Sequence, residues 1–204
     1  MNEPKFFIEP MAGYALDLLA KIRNKPFVPH SLTKLHNLKL CRDISGAKTV
    51  VEIGTFKGVM AKRLSRLFDR VVTVEIVPEL YEISKKRCAN RKNIELLLGD
   101  GSQLLPKIAA DVTNAVLFLD GHFSGGDTGQ GDEPEPVLKE LDLIEAHLEN
   151  FNAVVVDDFR LFGVDKGWPK KSEVLEKLEA VLPASDWNHY IINDQFVTVR
   201  SNNT

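Results

Sequence analysis

Short apolar runs rich in β-branched residues alternate with amphipathic stretches along most of the 204-residue chain. Thr49 to Ile53, Val71 to Glu75, Ile94 to Leu98, Ala115 to Asp120 and Ala153 to Asp157 are such runs, and they read as five strands. Each of them ends in or beside an acid or a glycine. Helical spacing fills the intervals over Val59 to Phe68, Pro78 to Asn90, Ser102 to Ala110 and Pro136 to Asn150, with Pro78 and Pro136 suited to helix starts. Strands buried on both faces and joined by helices demand a parallel sheet with right-handed crossovers. A further helix is expected from Lys171 to Leu182. Two last apolar runs follow, Tyr190 to Ile192 and Phe196 to Val199, joined by Asn193-Asp194 as a hairpin turn. The expected class is α/β: a doubly wound, mostly parallel seven-stranded sheet with a C-terminal antiparallel hairpin and N-terminal helices.

Before the first strand, Pro10 to Arg23 and Ser31 to Ser45 read as two helices linked across Pro26 and Pro29. The chain therefore divides into a helical extension or lid over 1–46 and a sheet domain over 47–200. Charged residues make up 27% and hydrophobic ones 44%, as in an ordinary folded domain. A net charge of −3 offers no footprint for a phosphate backbone, so no nucleic-acid partner is expected. No apolar stretch reaches a membrane span and the first residues lack a signal-peptide pattern, which points to a cytoplasmic protein without a membrane partner. Two cysteines, Cys41 and Cys88, are too few for a disulfide framework and are expected to be reduced.

The first candidate for chemistry is the turn after the first strand, Glu52-Ile53-Gly54-Thr55-Phe56-Lys57-Gly58. Parallel sheets bind ligands at such strand ends. Its spacing is not G-x-G-x-x-G, which disfavours a pyrophosphate ligand. Glu75, 21 residues beyond Gly54, ends the next strand where an acid can bind two adjacent ribose hydroxyls. From Thr49 to Asp158 the sequence resembles the class I S-adenosylmethionine-dependent methyltransferases. The resemblance implies that Glu52, Gly54 and Gly58 hold the methionine end, Glu75 the ribose, and Asp100 the adenine with Ile76 as apolar neighbour. Thr55, Gly101 and Asp120 complete the cofactor set. Each position also has a structural reading: Glu75 capping the helix at Pro78, and Asp100 as an N-cap.

Asp120 ends the fourth strand and Asp157-Asp158 the fifth, so adjacent strands would bring three carboxylates together. Such a group needs a proton or a cation between its members. An oxygen-only set favours Mg²⁺, which would lower the pKa of a bound hydroxyl. The alternative pairs Asp158 with Arg160. The Asp120-Gly-His segment and the Asp157-Asp158 pair resemble the metal-dependent, macrocin-type sugar O-methyltransferases, which implies magnesium on Asp120, Asp157 and Asp158 and Asp120 as base. Phe123 and Asp158 depart from the catechol type, which carries lysine and asparagine there. His122 is a second candidate base. His30 and His36 reach the site only if the N-terminal region is a lid. Gly121 to Pro136 holds five glycines, two prolines and four acids and reads as a loop closing over the acceptor.

These expectations converge on an S-adenosylmethionine-dependent O-methyltransferase. It would act on a hydroxyl of a small molecule, a sugar or glycosylated metabolite, with a divalent metal. The rivals are a metal-free methyltransferase or aminopropyl transferase on the same turn, and a non-catalytic nucleoside-binding module. The two N-terminal helices leave room for a homodimer.

Overall fold

A computed structural model describes residues 5–25, 27–121, 136–164 and 167–201, with side chains in the first helix described from residue 11. Its centre is a seven-stranded sheet in the order β3-β2-β1-β4-β5-β7-β6. The strands are β1 (Thr49–Ile53), β2 (Arg70–Glu75), β3 (Ile94–Leu98), β4 (Ala115–Leu119), β5 (Phe151–Val156), β6 (Trp187–Ile192) and β7 (Gln195–Arg200). β1 to β5 pair in parallel, and β7 runs antiparallel to both β5 and β6. The expected fold class is the observed one.

Two neighbouring strands, β1 and β4, lie where the chain reverses its direction of travel across the sheet, because β2 and β3 extend to one side and β5 to the other. Loops leaving the carboxyl ends of these strands part there and leave a crevice. Val50, Val71, Val116, Phe118 and Val155 face one side of the sheet, and Val51, Val72, Leu117, Val154 and Val156 face the other. This period-2 alternation of two apolar sets explains why central strands read as continuous hydrophobic runs. β3 departs from that rule: as an edge strand it is only half-buried, with Leu98 48% exposed.

The helices are α1 (Lys5–Ile22), α2 (Ser31–Ser45), α3 (Val59–Leu64), α4 (Pro78–Cys88), α5 (Gly101–Asp111), α6 (Val137–Ile144) and α7 (Lys171–Val181). α5, α6 and α7 supply Leu105, Leu141 and Leu178 to one core, while α2 and α3 supply Leu38, Cys41, Met60 and Leu64 to the other. The N-terminal region therefore contributes to the second of these cores through α2, with α1 packed on it. α1 begins before Pro10 and α3 is shorter than its periodicity suggests, ending in turns at Ser65. The stretch after α6 tightens into a 3-10 segment, Glu145–Asn150, with a non-helical kink at His147. The hairpin turn is as expected, because Asn193 and Asp194 both take positive φ, the geometry that matches strand twist in a two-residue loop. Both cysteines are free and buried, and burial pushes the Cys41 thiol up to about 12. Among the described residues, no helix is long and apolar enough to cross a membrane.

Candidate active site

The turn after β1 is shaped by backbone contacts before any ligand is considered. The amides of Gly54 and Thr55 both donate to the carbonyl of Val74 at 3.0 Å, drawing the turn over the end of β2. Gly54 has φ +99°, and a Cβ there would lie 2.3 Å from the Asp120 carbonyl oxygen. Only glycine lets the main chain leaving β4 pass this close. Gly54 thus fixes the path of Asp120. Gly58, with φ +70°, begins α3, and a Cβ there would press on Ser84 at 2.9 Å.

Beneath the turn, Glu52 is fully buried and accepts a 2.5 Å hydrogen bond from the Thr73 hydroxyl on its Oε2. The Thr73 hydroxyl is 2.6 Å from the Thr55 hydroxyl, and Glu52 Oε1 has no hydrogen-bond partner among the described residues. Burial, opposed by the Thr73 bond and reinforced by the charge of Glu75, pushes the Glu52 carboxyl up to about 8. Glu75 stands at the tip of β2 and is 4% exposed. It accepts from the backbone amides of Phe56 at 2.6 Å and Val77 at 2.9 Å, so it ties the turn to the start of α4. Burial raises its pKa against the lowering effect of those amides. Each oxygen takes one of these bonds and keeps lone-pair capacity, so the set can still accept two hydroxyls. Ile76 is half-buried beside it. Asp100 caps α5 by accepting from the Ser102 amide at 2.8 Å, the structural role the sequence allows, and Gly101 follows it against Ile53.

On the far side of the crevice, β4 and β5 are neighbours, and the amides of Asp120 and Asp157 each donate to the adjacent strand of the sheet, to the carbonyls of Ile53 on β1 and Leu119 on β4 at 3.0 Å. Asp120, Asp157 and Asp158 converge as their strand ends require. The cation between them is Lys34. Its Nζ is paired with Asp157 Oδ2 and stands 3.5 Å from Asp120 Oδ1 and 3.7 Å from Asp158 Oδ1. A second cation, Arg160, bonds Asp158 Oδ1 at 2.8 Å and also pairs with Asp194. Asp157 is fully buried and accepts at 3.2 Å from Gln195 Nε2, whose Oε1 accepts at 2.7 Å from Asn37 Nδ2. Asn37 also donates to the carbonyl of Ile192 at 2.9 Å, and Arg63 bonds Ser31 at the head of α2. These bonds fix the helix that carries Lys34.

Burial alone would lower the Lys34 pKa, but the three carboxylates outweigh it and hold the ammonium charged, above its ordinary range. The Asp120 pKa is raised as well, which for an acid disfavours the charged form. Desolvation first, then the negative charge of Asp157, hold its carboxyl well above the usual range, partly offset by Lys34. Its side chain is still 24% exposed, so it faces the crevice while Asp157 does not.

The magnesium expected on these three acids does not fit the site as built. The donors are the right hard oxygens, yet an ammonium already lies within 3.7 Å of all three and a guanidinium neutralises Asp158. A divalent ion about 4 Å from an ammonium would meet a repulsion of about 8 kcal/mol at an effective dielectric of about 20. With the Lys34 ammonium in place, no group of three histidines, cysteines or acids among the described residues is arranged as a metal site. The alternative pairing of Asp158 with Arg160 is the one observed.

His122 and the loop residues 122–135 lie outside the described residues. His30 does not turn toward the acids: its Nδ1 is 2.7 Å from Asp17 Oδ1 and its amide donates to Asp17 Oδ2 at 2.8 Å. His36 is exposed. Sequence reasoning missed Lys34, Asn37 and Gln195. A signal existed in α2, where Lys34 stands at i−4 and i−7 to Leu38 and Cys41 and so shares their buried face.

Residues 19–123, just over half the chain, match the O-methyltransferase family. The chain belongs to that family. As an O-methyltransferase it is an S-adenosylmethionine-dependent enzyme, and the turn, Glu75 and Asp120 fall within the matched span. No curated protein matches its sequence. Solved structures share its fold. An O-methyltransferase from Bacillus cereus, in complex with SAH, is 16% identical with a TM-score of 0.62, over 98% of this chain and 93% of that one. The O-methyltransferase TomG from Streptomyces achromogenes, in complex with SAM, is 20% identical with a TM-score of 0.60, over 99% and 92%. A methyltransferase from Geobacter sulfurreducens is 20% identical with a TM-score of 0.55, over 92% and 88%.

Proposed function

We propose that this O-methyltransferase methylates a hydroxyl of a small molecule, a sugar or glycosylated metabolite, with Asp120 as the base. The observation that carries this reading is the position of Asp120. A partly exposed carboxylate with a raised pKa is held by the Gly54 contact on one side and Lys34 on the other, at the crevice between β1 and β4. A carboxylate at that position can accept the proton of an acceptor hydroxyl brought into the crevice.

S-adenosylmethionine supplies an electrophilic methyl group on a sulfonium. Glu75 and Ile76 would hold its ribose and adenine side, with Asp100 and Gly101 at the rim. The Gly54 to Gly58 turn, with Thr55 and the buried Glu52 beneath it, would shape the methionine end. The methyl–sulfur bond breaks as the methyl–oxygen bond forms, the sulfonium charge is lost, and the hydroxyl proton passes to Asp120. Positioning supplies most of the acceleration in such a displacement, because the reacting atoms are held in line before they react. That solved relatives of this fold were crystallised with SAM and SAH supports the cofactor assignment. The sugar class rests on the resemblance carried by Asp120 and the Asp157-Asp158 pair. Magnesium, expected with it, has no place in this reading because Lys34 occupies the acid cluster.

Calorimetry with SAH and turnover of S-adenosylmethionine on a library of hydroxylated metabolites test the proposal together. Asp120→Asn should bind SAH as the wild type does and lose about 10²–10⁴-fold in kcat. Glu75→Ala should lose SAH binding. Unchanged SAH affinity in Glu75→Ala, or full turnover in Asp120→Asn, would overturn it.

A further inference from the structure

We propose that Lys34 is a built-in cation standing where a divalent ion would otherwise sit, so that this chain's acid cluster works without metal and becomes a metal site when the ammonium is removed. The inference rests on the O-methyltransferase reading for its consequence, the metal independence of methyl transfer, but its test does not require turnover.

Three independent features support it. Lys34 reaches all three strand-tip acids at once, pairing with Asp157 and lying within 3.7 Å of Asp120 and Asp158. An ammonium has three donors and no acceptor, which suits it to three oxygens converging from two strands. The helix that carries it is fixed. Leu38 and Cys41 are fully buried, Asn37 is bonded to Gln195 and to the Ile192 carbonyl, and Arg63 holds Ser31. Finally, the partner acids are positioned by other parts of the protein. Gln195 orients Asp157, Arg160 orients Asp158, and the Gly54 contact fixes the backbone of Asp120. Without Lys34, Asp120 and Asp157 remain in place with no compensating charge from α2.

Lys34 is thus a positioning residue. It holds Asp157 and, through the shared ammonium, sets the direction in which Asp120 presents its carboxylate to the crevice. A divalent ion would do the same with stronger charge and stricter geometry. A lysine does it with a charge that chelators cannot remove.

The test compares wild type, Lys34→Met and Lys34→Arg, each as the full chain saturated with SAH. Manganese binding is followed by electron paramagnetic resonance and by the shift of the melting temperature. Wild type should show no saturable manganese site below millimolar concentration and no change in melting temperature with EDTA. Lys34→Met should gain a site at least tenfold tighter, which Asp157→Asn in the same background abolishes, and Lys34→Arg should behave as wild type. A merely structural lysine would lower stability without creating that site. Should Lys34→Met not fold, the wild-type arm decides alone. A manganese site tighter than millimolar in wild type, lost in Asp157→Asn, would overturn the proposal, as would a folded Lys34→Met that gains no site. SAH binding reports on the O-methyltransferase reading separately, so failure of one does not mimic failure of the other.

Discussion

Glu52→Gln is expected to make the protein more stable in mild alkali. Glu52 is fully buried, with one oxygen bonded to Thr73 and the other lacking a partner among the described residues. Its pKa rises from an ordinary 4.5 to about 8 on folding. Below pH 4.5 the carboxyl is protonated in both states and contributes no pH dependence. Between 4.5 and 8 the unfolded chain releases the proton while the folded one retains it, so stability falls as pH rises, by on the order of 5 kcal/mol over the whole interval. Above that window the loss is complete. Glutamine keeps an oxygen for Thr73 and cannot ionise. Urea unfolding of both proteins from pH 5 to 9 measures the difference. The two should be close at pH 5, and the variant should gain steadily to a lead of several kcal/mol by pH 8.5. Parallel stability curves would refute the argument, because they would mean that Glu52 ionises in the folded state as easily as in the unfolded one.

Gly54→Ala should cost about 3 kcal/mol or more and abolish turnover, since its Cβ meets the Asp120 carbonyl and its φ excludes side chains; a melting curve and an activity assay check both. Gln195→Leu removes a donor to buried Asp157 and an acceptor for Asn37, and should destabilise by about 2–4 kcal/mol in denaturant titration. Asp17→Ala deletes bonds to the His30 amide and ring and to the Thr33 hydroxyl, with an expected loss of about 2 kcal/mol at neutral pH. The Asp17 pKa is lowered in the fold despite burial, because the Thr33 and His30 bonds outweigh it. Its contribution is therefore full above the unfolded value of 3.8 and fades as pH falls through the lower folded one, so wild type and variant should converge in acid.

The parallel sheet was legible because its central strands are buried on both faces and therefore carry unbroken apolar runs, as Thr49–Ile53 and Ala115–Leu119 do. The hairpin was legible for a local reason, the two consecutive turn residues Asn193 and Asp194. Strand order follows once crossovers are right-handed, and with it the meeting of Asp120, Asp157 and Asp158. What fills the space between those acids was not legible in the same way. Lys34 comes from a helix more than eighty residues before the nearest of them, and no motif announces it. A lysine on the buried face of an amphipathic helix is the one local trace, and amphipathic patterns are usually read for their apolar members. Magnesium was expected because three carboxylates require compensation; Lys34 places a positive charge among them, which the spacing of the acids does not reveal. Glu75 and Asp100 show a second limit. Both were expected as ligand-facing acids, and both are bonded to backbone amides that shape the turn or cap the helix, a role spacing alone cannot separate from binding.

The chain of bonds from Asn37 through Gln195 to Asp157 joins positions 158 apart in sequence. Loop closure over such a separation is slow, and contacts of this kind form late in the folding of a parallel sheet. Early collapsed species can therefore hold a native-like β1, β2 and β4 while their acid tips still lack the α2 ammonium. In a refolding experiment, recovery of the acceptor end should lag behind recovery of sheet circular dichroism, and the lag reports the docking of the helix at one terminus against the strand at the other.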